Sequence, residues 1–177
     1  MNHAFLIPIV VMMVACGGEK TETPADVSAR IQSMEDSVFQ SLSFDKRKAQ
    51  ALLDVYKAYA NANPRDTMSA EYLFRAANVA KSMHEGQQCI DLYDRIIADF
   101  PSWRRLPDVL YLKAFTIDSE FDRKGEAKTA YLEVISRYPD HAFAKDARAM
   151  IENLEYTDEE LIRRFQQMNA DSAQAVQ

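Results

Sequence analysis

Residues 89–101 read Cys-Ile-Asp-Leu-Tyr-Asp-Arg-Ile-Ile-Ala-Asp-Phe-Pro. Cys89, Leu92, Tyr93, Ile96, Ile97 and Phe100 fall at i, i+3, i+4, i+7, i+8 and i+11, which is one face of a helix. Pro101 ends that helix, because proline lacks the N–H and pushes the residue before it out of helical geometry. The same register recurs downstream as Ala127, Ala130, Tyr131, Val134, Ile135, Tyr138 and Pro139. Upstream it reads Leu52, Val55, Tyr56, Tyr59, Ala60, Asn63 and Pro64, with Asn63 alone breaking the apolar set. A second helical pattern precedes each of these. Ala70 to Met83 carries Leu73, Ala76, Ala77 and Ala80; Asp108 to Phe121 carries Tyr111, Ala114 and Phe115; Val27 to Leu42 carries Ile31, Met34, Val38 and Phe39. Paired helices at a period of roughly 30–40 residues predict an α-solenoid, in which each hairpin buries its apolar face on its neighbours.

The bulk composition agrees. Hydrophobic residues make up 47% and charged residues 27%, a globular balance rather than a disordered one. Four glycines and six prolines are too few for the many tight turns of an all-β fold. The net charge of −6 argues against a nucleic-acid partner, which needs a cationic face, and supplies no polybasic patch for anionic lipid. Past the last repeat, His141 to Phe165 adds a helix with Ala144, Ala147, Met150, Ile151 and Leu154, then a shorter one. Thr157-Asp158-Glu159-Glu160 reads as the capping box of that shorter helix, before Leu161, Ile162 and Phe165. Glu159, Arg163, Arg164 and Gln167 would give a terminal cap its polar outer face.

The repeats resemble tetratricopeptide repeats, a motif of about 34 residues. That motif asks in order for a large apolar, an apolar, a small, a small, an aromatic, an apolar residue and a proline. Leu73, Ala76, Ala77, Cys89, Tyr93, Ile96 and Pro101 meet it, as do Tyr111, Ala114, Phe115, Ala127, Tyr131, Val134 and Pro139, with Phe115 oversized. The repeat ending at Pro64 keeps Leu52, Tyr56 and Tyr59, but Asp36 stands at its first apolar position. The resemblance implies an all-α, tetratricopeptide-like α-solenoid of about three helical hairpins with a C-terminal capping helix. In that family ligand peptides lie along the first helices. The matching positions here are Glu71, Phe74, Asn78 and Lys81, then Val109, Leu112, Thr116 and Ser119. The basic clamp that holds C-terminal carboxylates in chaperone-binding members is not reproduced.

Ala4 to Ala15 is an uncharged run, AFLIPIVVMMVA. It is too short for a bilayer, which takes roughly 20 apolar residues, but it suits the core of a secretory signal. It leads into Met13-Val14-Ala15-Cys16-Gly17, which resembles a bacterial lipobox, with Met13 where leucine is usual and no Lys or Arg in Met1-Asn2-His3. The resemblance implies cleavage before Cys16 and acylation of it. An ordinary cleaved signal with an incidental cysteine, and a short buried N-terminal helix, are the other readings of the same residues. The expected layout is a signal peptide over 1–15, a flexible tether over 16–25, the repeat domain over 26–168 and a disordered tail over 169–177. Residues 138–154 and 158–165 also look like the ending of small tetratricopeptide lipoproteins of the Bacteroidetes. The whole plan is distantly similar to BamD, the helical-repeat lipoprotein of the outer-membrane β-barrel assembly machinery. With Gly17 rather than Asp after Cys16, the resemblance implies a lipid anchor in the outer membrane facing the periplasm.

Chemistry-bearing clusters are few. His3, His84 and His141 have no Cys, His or Asp at ligand spacing, so no metal is expected. The serines lack a nucleophile setting, no Gly-rich phosphate loop can be built, and neither an enzyme nor a cofactor is expected. The repeat resemblance implies that Cys89 sits where two helices approach closely, and it reads as a small buried hydrophobe. Trp103, beside Arg104 and Arg105 between Pro101 and Pro107, has two readings: a plug between hairpins, or an interface anchor of the kind Trp and Arg provide. The expected function is a protein–protein scaffold for other envelope proteins or peptides, with a peptidoglycan- or small-ligand-binding accessory as the alternative.

Overall fold

A computed structural model describes the backbone of residues 23–41 and 43–174, so the expected signal segment, Cys16 and most of the tether lie outside the described residues. The described residues form eight helices and no strand. These are α1 (Pro24–Phe39), α2 (Lys46–Ala62), α3 (Thr67–Ser82), α4 (Gly86–Asp99), α5 (Leu106–Phe121), α6 (Lys124–Arg137), α7 (Ala142–Asn153) and α8 (Asp158–Gln174). From α1 to α7 each helix packs chiefly on the one before and the one after, and α5 also meets α7. The fold is all-α and built of repeated helix pairs.

Two kinds of junction alternate, and the sequence explains each. Between pairs stand the prolines. Asn63, Phe100 and Tyr138 precede Pro64, Pro101 and Pro139, and all three adopt one conformation, with φ of −128°, −130° and −137° and ψ of 59°, 56° and 58°. The proline ring forbids the helical ψ in the residue before it, so each helix stops at the same point. Within pairs the chain turns through a left-handed residue: His84 (φ 59°) after α3 and Asp122 (φ 50°) after α5. At the first of these, Glu85 N–H donates to Ala80 C=O (3.0 Å) and His84 N–H to Lys81 C=O (3.0 Å), a Schellman closure with histidine in the place glycine usually takes.

The repeated face is the core. Tyr56, Tyr93 and Tyr131, one per second helix, are fully buried. Around them lie Leu52, Ala60, Cys89, Ile96, Ala127 and Val134, all without exposed surface, with Val55, Ile97, Ile135 and Tyr138 at the margin. The buried residues form two clusters, one centred on α1–α4 and one on α4–α7. Cys89 faces Thr116 Oγ1 at 3.9 Å across the α4–α5 crossing, where a larger side chain would collide. Burial raises the pKa of its thiol, so it is packing rather than a poised nucleophile.

The ends differ from expectation. Thr23 and Asp26 form a reciprocal capping box, so α1 starts at Pro24, inside the stretch assigned to the tether. The Thr157/Glu160 box is present (3.3 and 2.9 Å), but α8 continues to Gln174, past residue 168. Ile162 and Phe165 on α8 are 56% and 55% exposed, so among the described residues this part of the terminal helix's apolar side is not laid on α7.

Candidate partner-binding site

The middle junction departs from its two counterparts. In each junction an N–H three residues on donates to the residue before the proline: Asp66 to Asn63 (3.1 Å), Trp103 to Phe100 (3.0 Å) and His141 to Tyr138 (3.1 Å). In the outer two, that residue then caps the next helix. Asp66 accepts from Met68 N–H (2.9 Å), and His141 Nδ1 from Phe143 N–H (3.3 Å). Trp103 has no acceptor to offer, so the chain runs on through Arg104 and Arg105, and α5 begins at Leu106 without a side-chain cap. The tryptophan folds back onto the first core cluster, half-buried, with its ring 5.9 Å from that of Phe74. Arg105 lays its guanidinium over Phe74, 4.0 Å from the ring centroid, and 5.6 Å from Trp103.

A charged ladder runs along this side of the pairs. Glu35 on α1 accepts from the Tyr56 hydroxyl and from Arg75 (2.7 Å). Arg75 also reaches Glu71 (3.2 Å), Arg105 reaches the other oxygen of Glu71 (3.4 Å), and Arg105 Nε pairs with Asp108 (3.2 Å). His141 Nε2 stands 4.0 Å from Asp108. Burial by itself would lower the pKa of Arg75, but its bonds to Glu35 and Glu71 outweigh this and raise it. Burial, then the bond to Glu35, raises that of Tyr56. These are partly exposed groups and add little stability singly. Their effect is to hold α1, α3 and the start of α5 in fixed relation.

Between the start of α3 and the Trp103 loop lies an open groove of about 770 Å³. It is within the range of ligand clefts, roughly 300–1,000 Å³. Its lining includes Arg65, Met68, Glu71, Phe100, Trp103 and Arg104. Met68 is 42% exposed. The groove offers apolar area and cationic groups side by side, an arrangement for binding.

The structure brings four of the expected site residues together here: Glu71, Trp103, Arg104 and Arg105. Phe74 is a correction. It lies beneath Trp103 and Arg105, only 4% exposed, so its ring is covered by the chain itself. Thr116 is a second: it is fully buried, and its hydroxyl donates to Leu112 C=O (2.8 Å). Val109 is likewise buried and Leu112 half-buried against the core, so these positions of α5 face inward. Asn78 is exposed but lines a separate small hollow with Glu35, Phe39 and Arg75. Lys81 covers the oversized Phe115 ring at 4.6 Å. Cys16 lies outside the described residues. Sequence reasoning missed Arg65, Met68 and Arg75. The Glu71/Arg75 spacing was readable as an i, i+4 pair, but the approach of Glu35 was not.

Among the described residues no helix is long and apolar enough to cross a membrane. Among them, too, no group of three or more His, Cys, Asp or Glu side chains is placed to hold a metal ion. The chain matches no protein-family model and no curated protein. What the fold itself defines is an all-α helical-repeat protein.

Proposed function

We propose that the chain is a lipid-anchored scaffold of the bacterial cell envelope that holds another protein on its repeat domain. The observation that carries this is the open groove beside Trp103, where an aromatic anchor and arginines stand on a rigid frame. Ion pairs from α1 to α5 keep that frame preorganised, which lowers the ordering cost of binding. The lipobox-like Met13-Val14-Ala15-Cys16 supports the anchor, and tethering raises the effective concentration of a small platform at a surface. The likeness to tetratricopeptide lipoproteins and, distantly, to BamD supports an outer-membrane setting facing the periplasm, as an accessory of outer-membrane protein assembly.

A photo-crosslinking amino acid at position 104, in the native envelope, tests the scaffold reading. Discrete protein adducts are expected there and not from the exposed position 145 on α7. Identical patterns from both positions would reject it. β-barrel assembly components among the adducts are expected for the assembly role, and their repeated absence rejects that role alone. For the anchor, Cys16→Ser is expected to abolish incorporation of labelled fatty acid and release the chain from membranes.

A further inference from the structure

We infer that the groove beside Trp103 takes a short acidic segment of the partner polypeptide, its apolar side chain against Met68, Phe100 and Trp103 and its carboxylates on Arg65 and Arg104. This deepens the scaffold reading and rests on it. The chain as a whole carries a net charge of −6, yet this groove is lined by Arg65, Arg75, Arg104 and Arg105 against only Glu71 and Asp99. Both acids are already engaged. Asp99 is held by Arg95 at 3.2 Å, and Glu71 is shared between Arg75 and Arg105. Among the described residues, Arg65 and Arg104 are exposed and enter no ion pair or hydrogen bond. The local excess of positive charge is therefore not spent among the described residues, and a carboxylate is its complement.

The apolar part of the groove narrows the choice of occupant. Met68 is 42% exposed and Trp103 half-buried, so a small inorganic anion would satisfy the arginines and leave this surface wet. A peptide segment carrying aspartate or glutamate beside a bulky apolar residue satisfies both. Electrostatic attraction guides the encounter, and burial of the apolar side chain slows departure.

Trp103 is the sole tryptophan of the chain, so its emission reports this groove and no other. The test titrates the full chain, in neutral detergent at low salt, with three short synthetic peptides. One places Phe between Asp and Glu residues, one replaces the acids with Asn and Gln, and one replaces them with Lys. The acidic peptide is expected to shift Trp103 emission saturably, and the Asn/Gln copy to bind about tenfold more weakly or worse. Arg65→Glu with Arg104→Glu is expected to weaken the acidic peptide at least as much, with unchanged thermal unfolding because neither side chain has a partner to lose among the described residues. Arg148→Glu, exposed on α7, is expected to change nothing. Equal binding of all three peptides, no saturable shift with any, or a shift only with anionic phospholipid vesicles would overturn the inference. Crosslinking from position 104 that survives such a result leaves the scaffold reading standing; loss of both rejects both.

Discussion

Replacing Tyr56 and Tyr93 by phenylalanine, one at a time, asks whether residues in the same repeat position do the same work. Both rings are fully buried and both sit at the centre of a second helix, so the hydrophobic contribution is common and survives the change. The hydroxyls differ. That of Tyr56 donates to the Glu35 carboxylate, which is 20% exposed and keeps Arg75 as a second partner. A hydrogen bond to a charged group contributes about 1.5–3 kcal/mol, and the remaining partner and partial exposure bring the expected loss to about 1–2 kcal/mol. Among the described residues the Tyr93 hydroxyl has no hydrogen-bond partner of good geometry; it meets only the weakly polar Cys89 thiol. A buried hydroxyl left so costs about 1–3 kcal/mol, and the small gap left by the missing oxygen cancels part of the gain. Tyr93→Phe is therefore expected to stabilise by about 0.5–1 kcal/mol. Urea unfolding followed by far-UV circular dichroism, with unchanged m-values, measures both. At roughly 2–4 °C per kcal/mol, the two variants are expected to shift the melting temperature in opposite directions. A Tyr93→Phe chain as destabilised as Tyr56→Phe, or more so, would refute the reasoning.

Three other outcomes are expected. Asp66 is held below its ordinary pKa of 3.8 by the Tyr59 hydroxyl and the Met68 N–H, while the same bond pushes Tyr59 up to about 12. A depressed carboxylate stabilises above its unfolded value and loses this as pH falls through its folded value. Asp66→Asn should therefore flatten the acid side of a plot of melting temperature against pH, and an unchanged slope would count against it. His84→Gly should stabilise by about 0.5–1 kcal/mol because the left-handed turn after α3 suits glycine, whereas Ala58→Gly, exposed in mid-helix on α2, should cost about 1 kcal/mol; equal signs would contradict this. In a Cys16→Ser chain, Cys89 should resist a thiol-specific disulfide reagent until urea unfolds it, and rapid labelling in native buffer would show that the α4–α5 crossing is open.

The all-α architecture was legible in the amino-acid order because its determinants are local. A helix face repeats every few residues, and a proline acts on the residue beside it, so Tyr93 with Pro101 and Tyr131 with Pro139 announce the second helices without reference to anything distant. The Thr157/Glu160 box is local in the same way, and it formed. Where α8 ends and what covers it are not: Ile162, Phe165 and Met168 carry a helical apolar pattern whether or not a neighbour receives them. Trp103, Arg104 and Arg105 could be singled out by residue type and Glu71 by its place in the repeat, yet only the fold separates them from Phe74 and Thr116. Phe74 is roofed by a loop from the next pair, and Thr116 is closed in at the α4–α5 crossing. Glu35 meets Arg75 across two helices, and Arg65 meets Arg104 in one groove, by the stacking of pairs. Sequence by itself determined which elements form and which face the second helix of each pair buries, because backbone geometry and side-chain period act over a few residues. Only the tertiary structure decided which remaining side chains stay open and which charges are left unpaired, because that depends on neighbours brought from other repeats.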